Sequence, residues 1–393
     1  MIKKNEPLKG VLQIEYDYNS LKKNIGRNKF FQERIGKFWT YPELWPLSYY
    51  KVAGKPYPKG ISLENLEQLK LNESPIAKYE YNGEMLYVFD DTRNHTLSYK
   101  DRASILVALK AIQLNRKDIA AASTGNAGSS LAGICAKLGL KSHLFVPKSI
   151  PSAKRIQIQA YHANLYLVEG SYDEAFDLCV EAADVNGWYN RNTAYNPLTI
   201  EGKKSTAYDM YFALEGKLPD YIFIPVGDGV IIGGIFKGLS ELLKLGLIEK
   251  LPKLIAVQSE KSDALVRYME TNTFEYRPAE SIADSLNAGA PRNLYMAAEA
   301  LRESNGDAVI VTDEEIIKAQ KQIASSWGIL VEPAAAASLA GYRKLWLNGM
   351  PVDGTKKMVL LTGNGLKDIS SLEKSVYVPS AKSVEEWKTE LLK

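Results

Sequence analysis

The chain has 393 residues, 49 of them Lys or Arg against 46 Asp or Glu; the net charge of +3 comes with no block of one sign and argues against a nucleic-acid or membrane-surface role. With 46% hydrophobic and 24% charged residues it is an ordinary globular composition, and the length calls for two large lobes with a cleft between them. Two cysteines (Cys135, Cys179) and three histidines (His95, His143, His162) form neither a disulfide framework nor metal-ligand spacings, and neither an 18-residue apolar run nor a signal-like Met1–Asn5 is present, so a reducing, cytoplasmic setting without a metal is expected.

Residues 1–75 are rich in aromatics and turn formers, including Phe30, Phe31, Phe38, Trp39, Tyr41, Trp45, Tyr49 and Tyr50, without sustained periodicity. They read as an arm or cover, wrapped on the core or a second subunit, or closing over a site. Asp91 to Ser104 is polar and runs into the helix-like Ile105 to Leu114; on local pattern alone its Lys100 is a solvated surface residue. Beyond it, Asp118 to Ser123, Ser142 to Val146, Asn164 to Val168, Tyr221 to Val226, Lys253 to Gln258, Ala308 to Thr312 and Lys356 to Leu361 read as buried strands separated by helical patterns. Such alternation predicts βαβ units and parallel sheets. Three strands before residue 170 and four after 220 predict two sheets, with a small domain at 100–205 inserted in a larger one formed by 76–99 and 206–393.

Ligands of open α/β sheets bind where strands turn into helices, and three such turns are unusual. Ser123-Thr124-Gly125-Asn126-Ala127-Gly128 opens a helix closed by Gly139; its ordinary role is capping, but its small residues also suit a ligand carboxylate. Gly227-Asp228-Gly229-Val230-Ile231 follows a strand and is either a tight turn or a phosphate cradle at a helix N-terminus, where Asp228 would offer its N–H and keep its carboxylate turned out or paired. Leu361-Thr362-Gly363-Asn364-Gly365-Leu366-Lys367-Asp368 leaves the last strand and can point Thr362 into a cleft. His95 is expected to be structural, and Glu332 to start a helix with Pro333 at its first position.

In combination and in this order, Ser98-Tyr99-Lys100-Asp101-Arg102 and these three turns resemble fold-type II enzymes that use pyridoxal 5'-phosphate (PLP), and among them threonine synthase. Asn196-Pro197 followed by Glu201-Gly202, Asp313 to Ile316 and Gly328 to Ala334 extend the resemblance over residues 72–370. The resemblance implies two open, mostly parallel-sheet α/β domains of the tryptophan synthase β-subunit type, with the aromatic N-terminal arm added, and a homodimer. It implies that Lys100 is the catalytic residue and Schiff-base lysine, and that Asn126 meets the cofactor ring oxygen. Gly227, Asp228, Gly229, Val230 and Ile231 would cradle the phosphate, Thr362 would face the ring nitrogen, and Ser123, Thr124 and Gly125 would meet the substrate carboxylate.

The activity implied is that of a carbon–oxygen lyase of amino-acid biosynthesis, taking O-phosphohomoserine and water to threonine and phosphate. Where the family has an arginine two positions after Asn-Pro, to help hold that phosphate, this chain has Thr199, and Lys203 stands in for part of the lost charge. Leu97 replaces a glycine of the family's Asn-Pro-Thr-Gly, and Asn364 a common histidine. β-Elimination from serine or threonine, β-replacement on O-phosphoserine, and a non-catalytic PLP-binding regulator remain open as alternatives.

Overall fold

A computed structural model describes residues 6–7, 9–25, 42–52, 55–72, 75–123, 125–170, 172–350, 354–373, 376–377 and 379–392. Thr124 and the arm aromatics Phe30, Phe31, Phe38, Trp39 and Tyr41 lie outside these residues. The strands are β1 (Tyr49–Val52), β2 (Lys55–Pro58), β3 (Ile76–Tyr81), β4 (Glu84–Asp90), β5 (Asp118–Ala122), β6 (Lys141–Pro147), β7 (Asn164–Val168), β8 (Tyr189–Asn190), β9 (Tyr221–Pro225), β10 (Lys253–Ser259), β11 (Asp307–Val311) and β12 (Lys357–Leu361).

The seven apolar runs fall in two sheets. One has the order β11-β10-β9-β12-β4-β3, parallel except for β3 at its edge; the other, β7-β6-β5-β8, is entirely parallel. Five strands go beyond the sequence reading: the separate antiparallel pair β1–β2, and three within these two sheets. β3 and β4 form a hairpin turning on Asn82 and Gly83, both at positive φ, the conformation of the tight turns whose twist matches paired strands. β8 is two residues long, too short to produce a pattern.

Both faces of the larger sheet are covered, which is why its strands are continuously apolar. On one side pack the helices Asp101–Gln113, Leu198–Ala213 and Val230–Lys244, and on the other Asp313–Trp327 and Pro333–Leu347. The alanine-rich start of Pro333–Leu347 brings that helix close to the sheet, and a methyl added at Gly341 would lie 2.4 Å from Val257. Where the helices Asp101–Gln113 and Leu198–Ala213 cross, a methyl at Gly202 would meet the Arg102 carbonyl at 2.2 Å. No described helix is long and apolar enough to cross a membrane.

The described part of the arm is fastened to this core. Asp17 caps the helix Tyr18–Asn24, the Tyr16 hydroxyl donates to Glu201 (2.6 Å), that of Tyr18 to Glu241 (3.1 Å), and Lys237 donates to the Ile14 carbonyl (2.6 Å). Glu201 and Glu241 share Lys204 at 2.7 and 3.1 Å, and that ammonium also lies over the rings of Tyr16 and Trp45. Glu201, Glu241 and Lys204 are almost wholly buried, where a charge is tolerated only with an opposite charge beside it.

Candidate active site

The carboxyl ends of β5, β9 and β12 converge on a cavity of about 370 Å³ lined by Lys100, Ser123, Asn126, Lys203, Thr362 and every residue from Gly227 to Ile231. Lys100 and Thr362, far apart along the chain, thus meet where the topology of open sheets places ligands. Of the other residues singled out by motif, Gly125 does not line the cavity, nor does His95, which is half-buried against the backbone of Leu69 and Lys70.

Lys100 is held by both of its neighbours. Asp101 accepts the N–H (2.8 Å) and hydroxyl (2.5 Å) of Thr96 and the hydroxyl of Ser130 (2.7 Å), closing the turn before the helix. Arg102 is fully buried and forks onto Asp91 (2.6 and 2.9 Å) while reaching Asp209 (2.6 Å) and Ser205 (2.7 Å). With its neighbours anchored outward, Lys100 is the side chain left to face the cavity. A short backbone seam completes the setting: Tyr99 N–H donates to Thr362 O (2.8 Å), Asn364 N–H to Leu97 O and Glu332 N–H to Gly363 O (both 3.0 Å). Leu97 sits at φ 63, a left-handed conformation that costs a residue other than glycine about 1–2 kcal/mol, and this seam holds it there.

Burial pushes the Lys100 amine down to about 8, the Arg191 charge adds to the effect, and Asp228 and Glu332 oppose it. An amine with that pKa is unprotonated in roughly one molecule in ten at pH 7, on the order of several hundred times more often than an ordinary exposed lysine. Asp228 lines the cavity rather than turning out; it is paired, accepting the Arg292 N–H at 2.5 Å, and burial raises its carboxyl to about 6.

The glycine turn is a cradle by steric necessity. A methyl at Gly227 would lie 2.9 Å from Leu286 backbone, and one at Gly229, which has φ 86 and caps the helix Val230–Lys244, would lie 2.7 Å from Asn293 O. Free N–H groups at a helix start facing a cavity suit a phosphate. In the first turn, the Ser123 hydroxyl accepts the N–H groups of Gly125 (3.0 Å) and Gly128 (2.8 Å), so it serves as a helix cap as well as lining the cavity.

Asn126 donates to Glu332 (2.7 Å) and Ser285 (3.2 Å), while its amide oxygen, although buried, has no partner. Glu332 precedes the helix-starting Pro333 and is itself buried against Lys154 at 3.1 Å. Burial works against the Lys154 charge, but Glu332 and Asp284 more than reverse this and hold its ammonium well above the ordinary lysine range. The carboxylate of Glu332 lies so close to Gly363 that a methyl there would be 1.9 Å from Oε2, which accounts for the glycine after Thr362. Lys367 ties the same motif to Thr96 O (3.0 Å), Ser129 (2.9 Å) and Gln157 (2.5 Å).

Sequence reasoning missed Lys154, Arg191 and the irregular far wall of the cavity, which includes Tyr276, Ser285 and Arg292. The lysine and arginine are missed because such residues are ordinarily solvated, and the wall because it has no periodicity. The residues present suit PLP: a glycine cradle for its phosphate, a cavity lysine of lowered pKa for its aldehyde, and an unsatisfied amide oxygen beside it.

A family model described as pyridoxal-phosphate dependent enzyme matches residues 65–363. A threonine synthase of Methanocaldococcus jannaschii is 34% identical over 364 residues, covering 91% of this chain and 87% of that protein. One of Methanosarcina acetivorans is 33% identical with 91% and 86% coverage, and one of Halalkalibacterium halodurans 35% identical with 76% and 82%. Solved structures with a similar fold include a pyridoxal 5'-phosphate-dependent aspartate racemase (TM-score 0.67, 18% identity, covering 79% of this chain and 98% of that one) and a maize serine racemase (0.66, 16%, 80% and 97%). With the lysine, the glycine cradle and the two sheets in place, the chain belongs to the fold-type II pyridoxal-phosphate-dependent enzymes, as a threonine synthase-like carbon–oxygen lyase.

Proposed function

We propose that the enzyme converts O-phosphohomoserine and water into threonine and inorganic phosphate. The observation that carries this reading is the Lys100 amine, with a pKa near 8, inside a cavity bounded by the glycine cradle, Asn126 and Thr362. PLP, when bound, supplies an electron sink that makes protons on carbons near the amino group removable. Lys100 would hold its aldehyde carbon, Gly227 to Ile231 its phosphate, Asn126 its ring oxygen and Thr362 its ring nitrogen. A hydroxyl at that nitrogen leaves it unprotonated, which favours elimination and replacement over transamination.

Lys100 would be the base that takes protons from the substrate and returns them. In the net reaction the β-carbon loses one proton, the γ-carbon–oxygen bond breaks and phosphate leaves with its electron pair, and water then adds across the two carbons, hydroxyl to the β-carbon and one proton to the γ-carbon. Ser123 would orient the substrate carboxylate, and Lys203 its anionic end. Purified protein loaded with PLP should release phosphate and threonine in equal amounts from O-phospho-L-homoserine. No phosphate release would refute the reading. Thr199, where the family has arginine, favours a second reading, β-elimination from serine or threonine, which a 2-oxo acid product would reveal.

We further propose a cytoplasmic homodimer built from a small domain at 100–205 and a large one at 76–99 and 206–393, with 1–75 as the arm. The helix Val384–Leu391 supports the dimer, since none of its residues is buried and Val384, Trp387 and Leu391 form an apolar face along it.

A further inference from the structure

Most deeply buried cations in this protein have carboxylates: Arg102 has Asp91 and Asp209, Lys154 has Glu332 and Asp284, and Lys204 has Glu201 and Glu241. Arg191 and Lys203, each 1% exposed, have no such ion pair among the described residues. Lys203 Nζ donates to the Thr199 carbonyl (3.1 Å). Arg191 reaches Thr193 through Nη1 (3.3 Å), while Nε and Nη2 have no hydrogen-bond partner among the described residues. Those two nitrogens form one edge of the guanidinium, the side-on fork that grips an oxyanion with two parallel hydrogen bonds.

The place of this edge in the fold matters as much as its vacancy. Arg191 follows β8 and donates its backbone N–H to Ala120 O (2.8 Å), so it lies at the carboxyl end of the small sheet, beside Ala122 and Ser123 of the cavity wall. Thr193, which it bonds, and Tyr172, which favours its charge, line the cavity, as do Lys203 and Lys100, so the guanidinium lies directly behind that lining rather than in it. Burial works against all three charges, holding the Lys203 amine well below the ordinary lysine range and Arg191 down to about 10; the Arg191 charge adds to this at both lysines, Asp228 opposes it at Lys203, and Tyr172 and Asp101 favour the charged guanidinium. Thr199 takes no part, because its hydroxyl is turned back to Asn196 O (2.9 Å).

We infer that Arg191, together with Lys203, binds a phosphate-class oxyanion on the substrate side chain, supplying from β8 the charge that is absent at position 199. A bare buried guanidinium is costly to fold and useful only if an anion completes it. The choice of phosphate rests on the proposed reaction, whereas the presence of an anion site does not.

The test uses PLP-loaded protein, whose cofactor cradle is filled, and reads ligand-induced absorbance changes with O-phospho-L-homoserine, with L-homoserine, and with inorganic phosphate as competitor. Arg191→Gln should weaken both phosphates by roughly tenfold or more, the worth of a charge-assisted hydrogen bond, with L-homoserine shifted less than about twofold. Arg191→Lys should fall between. Melting of cofactor-free Arg191→Gln at or above the wild-type temperature is expected, since an unpaired buried charge is removed; a structural arginine would lower it. Equal weakening of L-homoserine, or phosphate affinity unchanged in Arg191→Gln, overturns the inference even if the wild type makes threonine. Arg191-dependent phosphate binding in a protein that makes no threonine upholds it and overturns the proposed reaction instead.

Discussion

Replacing Lys154 with methionine removes the cation beneath the site and leaves its partners in place. The Lys154 side chain is 0% exposed and pairs with Glu332, 2% exposed, at 3.1 Å and with Asp284, 27% exposed, at 2.6 Å. Asp284 can turn to water, so its part in the loss is small. Glu332 cannot, and stranding one member of a buried pair costs about 3–5 kcal/mol. With an unfolding entropy of roughly 2.1 cal/mol/K per residue over 393 residues, the melting temperature should fall by roughly 4–6 °C. Scanning calorimetry of cofactor-free protein measures this directly. The double variant K154M/E332Q, with both charges gone, should recover most of the loss because the two sites are coupled. A K154M protein melting within about 1 °C of wild type, or a double variant losing the sum of the single losses, would refute the reasoning.

Gly363→Ala, whose methyl would meet the Glu332 carboxylate at 1.9 Å, should lose about 1–3 kcal/mol and weaken PLP retention. Gly139→Ala, at φ 64 with open space around it, should lose only about 1–2 kcal/mol of stability and retain PLP; equal PLP loss in both would break the link to Glu332. Because Lys100 titrates near 8, the rate at which cofactor-free protein takes up PLP should climb as pH rises through about 8, and a midpoint near the ordinary lysine value would contradict the burial argument. In the same protein, lowered pKa values mean that the unfolded chain binds more protons between that pH and the ordinary lysine value. The Lys100 contribution to stability should therefore improve with rising pH across that window, as a wild-type against Lys100→Met comparison would read. Val384→Glu with Leu391→Glu should turn a dimer into a monomer in sedimentation without changing the secondary structure.

The strands inside the two sheets are legible because their apolar runs are continuous, as burial on both faces demands, whereas Asn164–Val168, expected to be buried, lies at a sheet edge with Tyr166 and Leu167 39% and 48% exposed. The β3–β4 hairpin leaves a trace too, in Asn82-Gly83 between alternating segments, but β3 is an edge strand in which only Tyr81 is fully buried, so its signal is weaker than its neighbours'. At the site the motifs lead to Lys100, Asn126, the glycine turn and Thr362 through their order along the chain, while their local chemistry points to turns and caps. What no local pattern carries is the support beneath them. Lys154, Glu332 and Asp284 come from three separate segments, of which sequence singled out Glu332 alone and only as a helix start, and a buried Arg191 contradicts the usual place of arginine, so only the fold brings them together.

The seam that joins Leu97 and Tyr99 to Thr362 and Asn364, with Lys367 reaching Thr96 across 271 residues, has a consequence for the life of the chain before it is an enzyme. During synthesis the segment carrying Lys100 leaves the ribosome early, yet the strand that closes its pocket is among the last to emerge. Small-sheet residues 118–190 have complete ladders of their own and can pair in the interval, whereas β4 must wait for β12. Cofactor capture is therefore a closing event of folding, and a chain that stops short of residue 362 has a lysine but nowhere to hold what it binds.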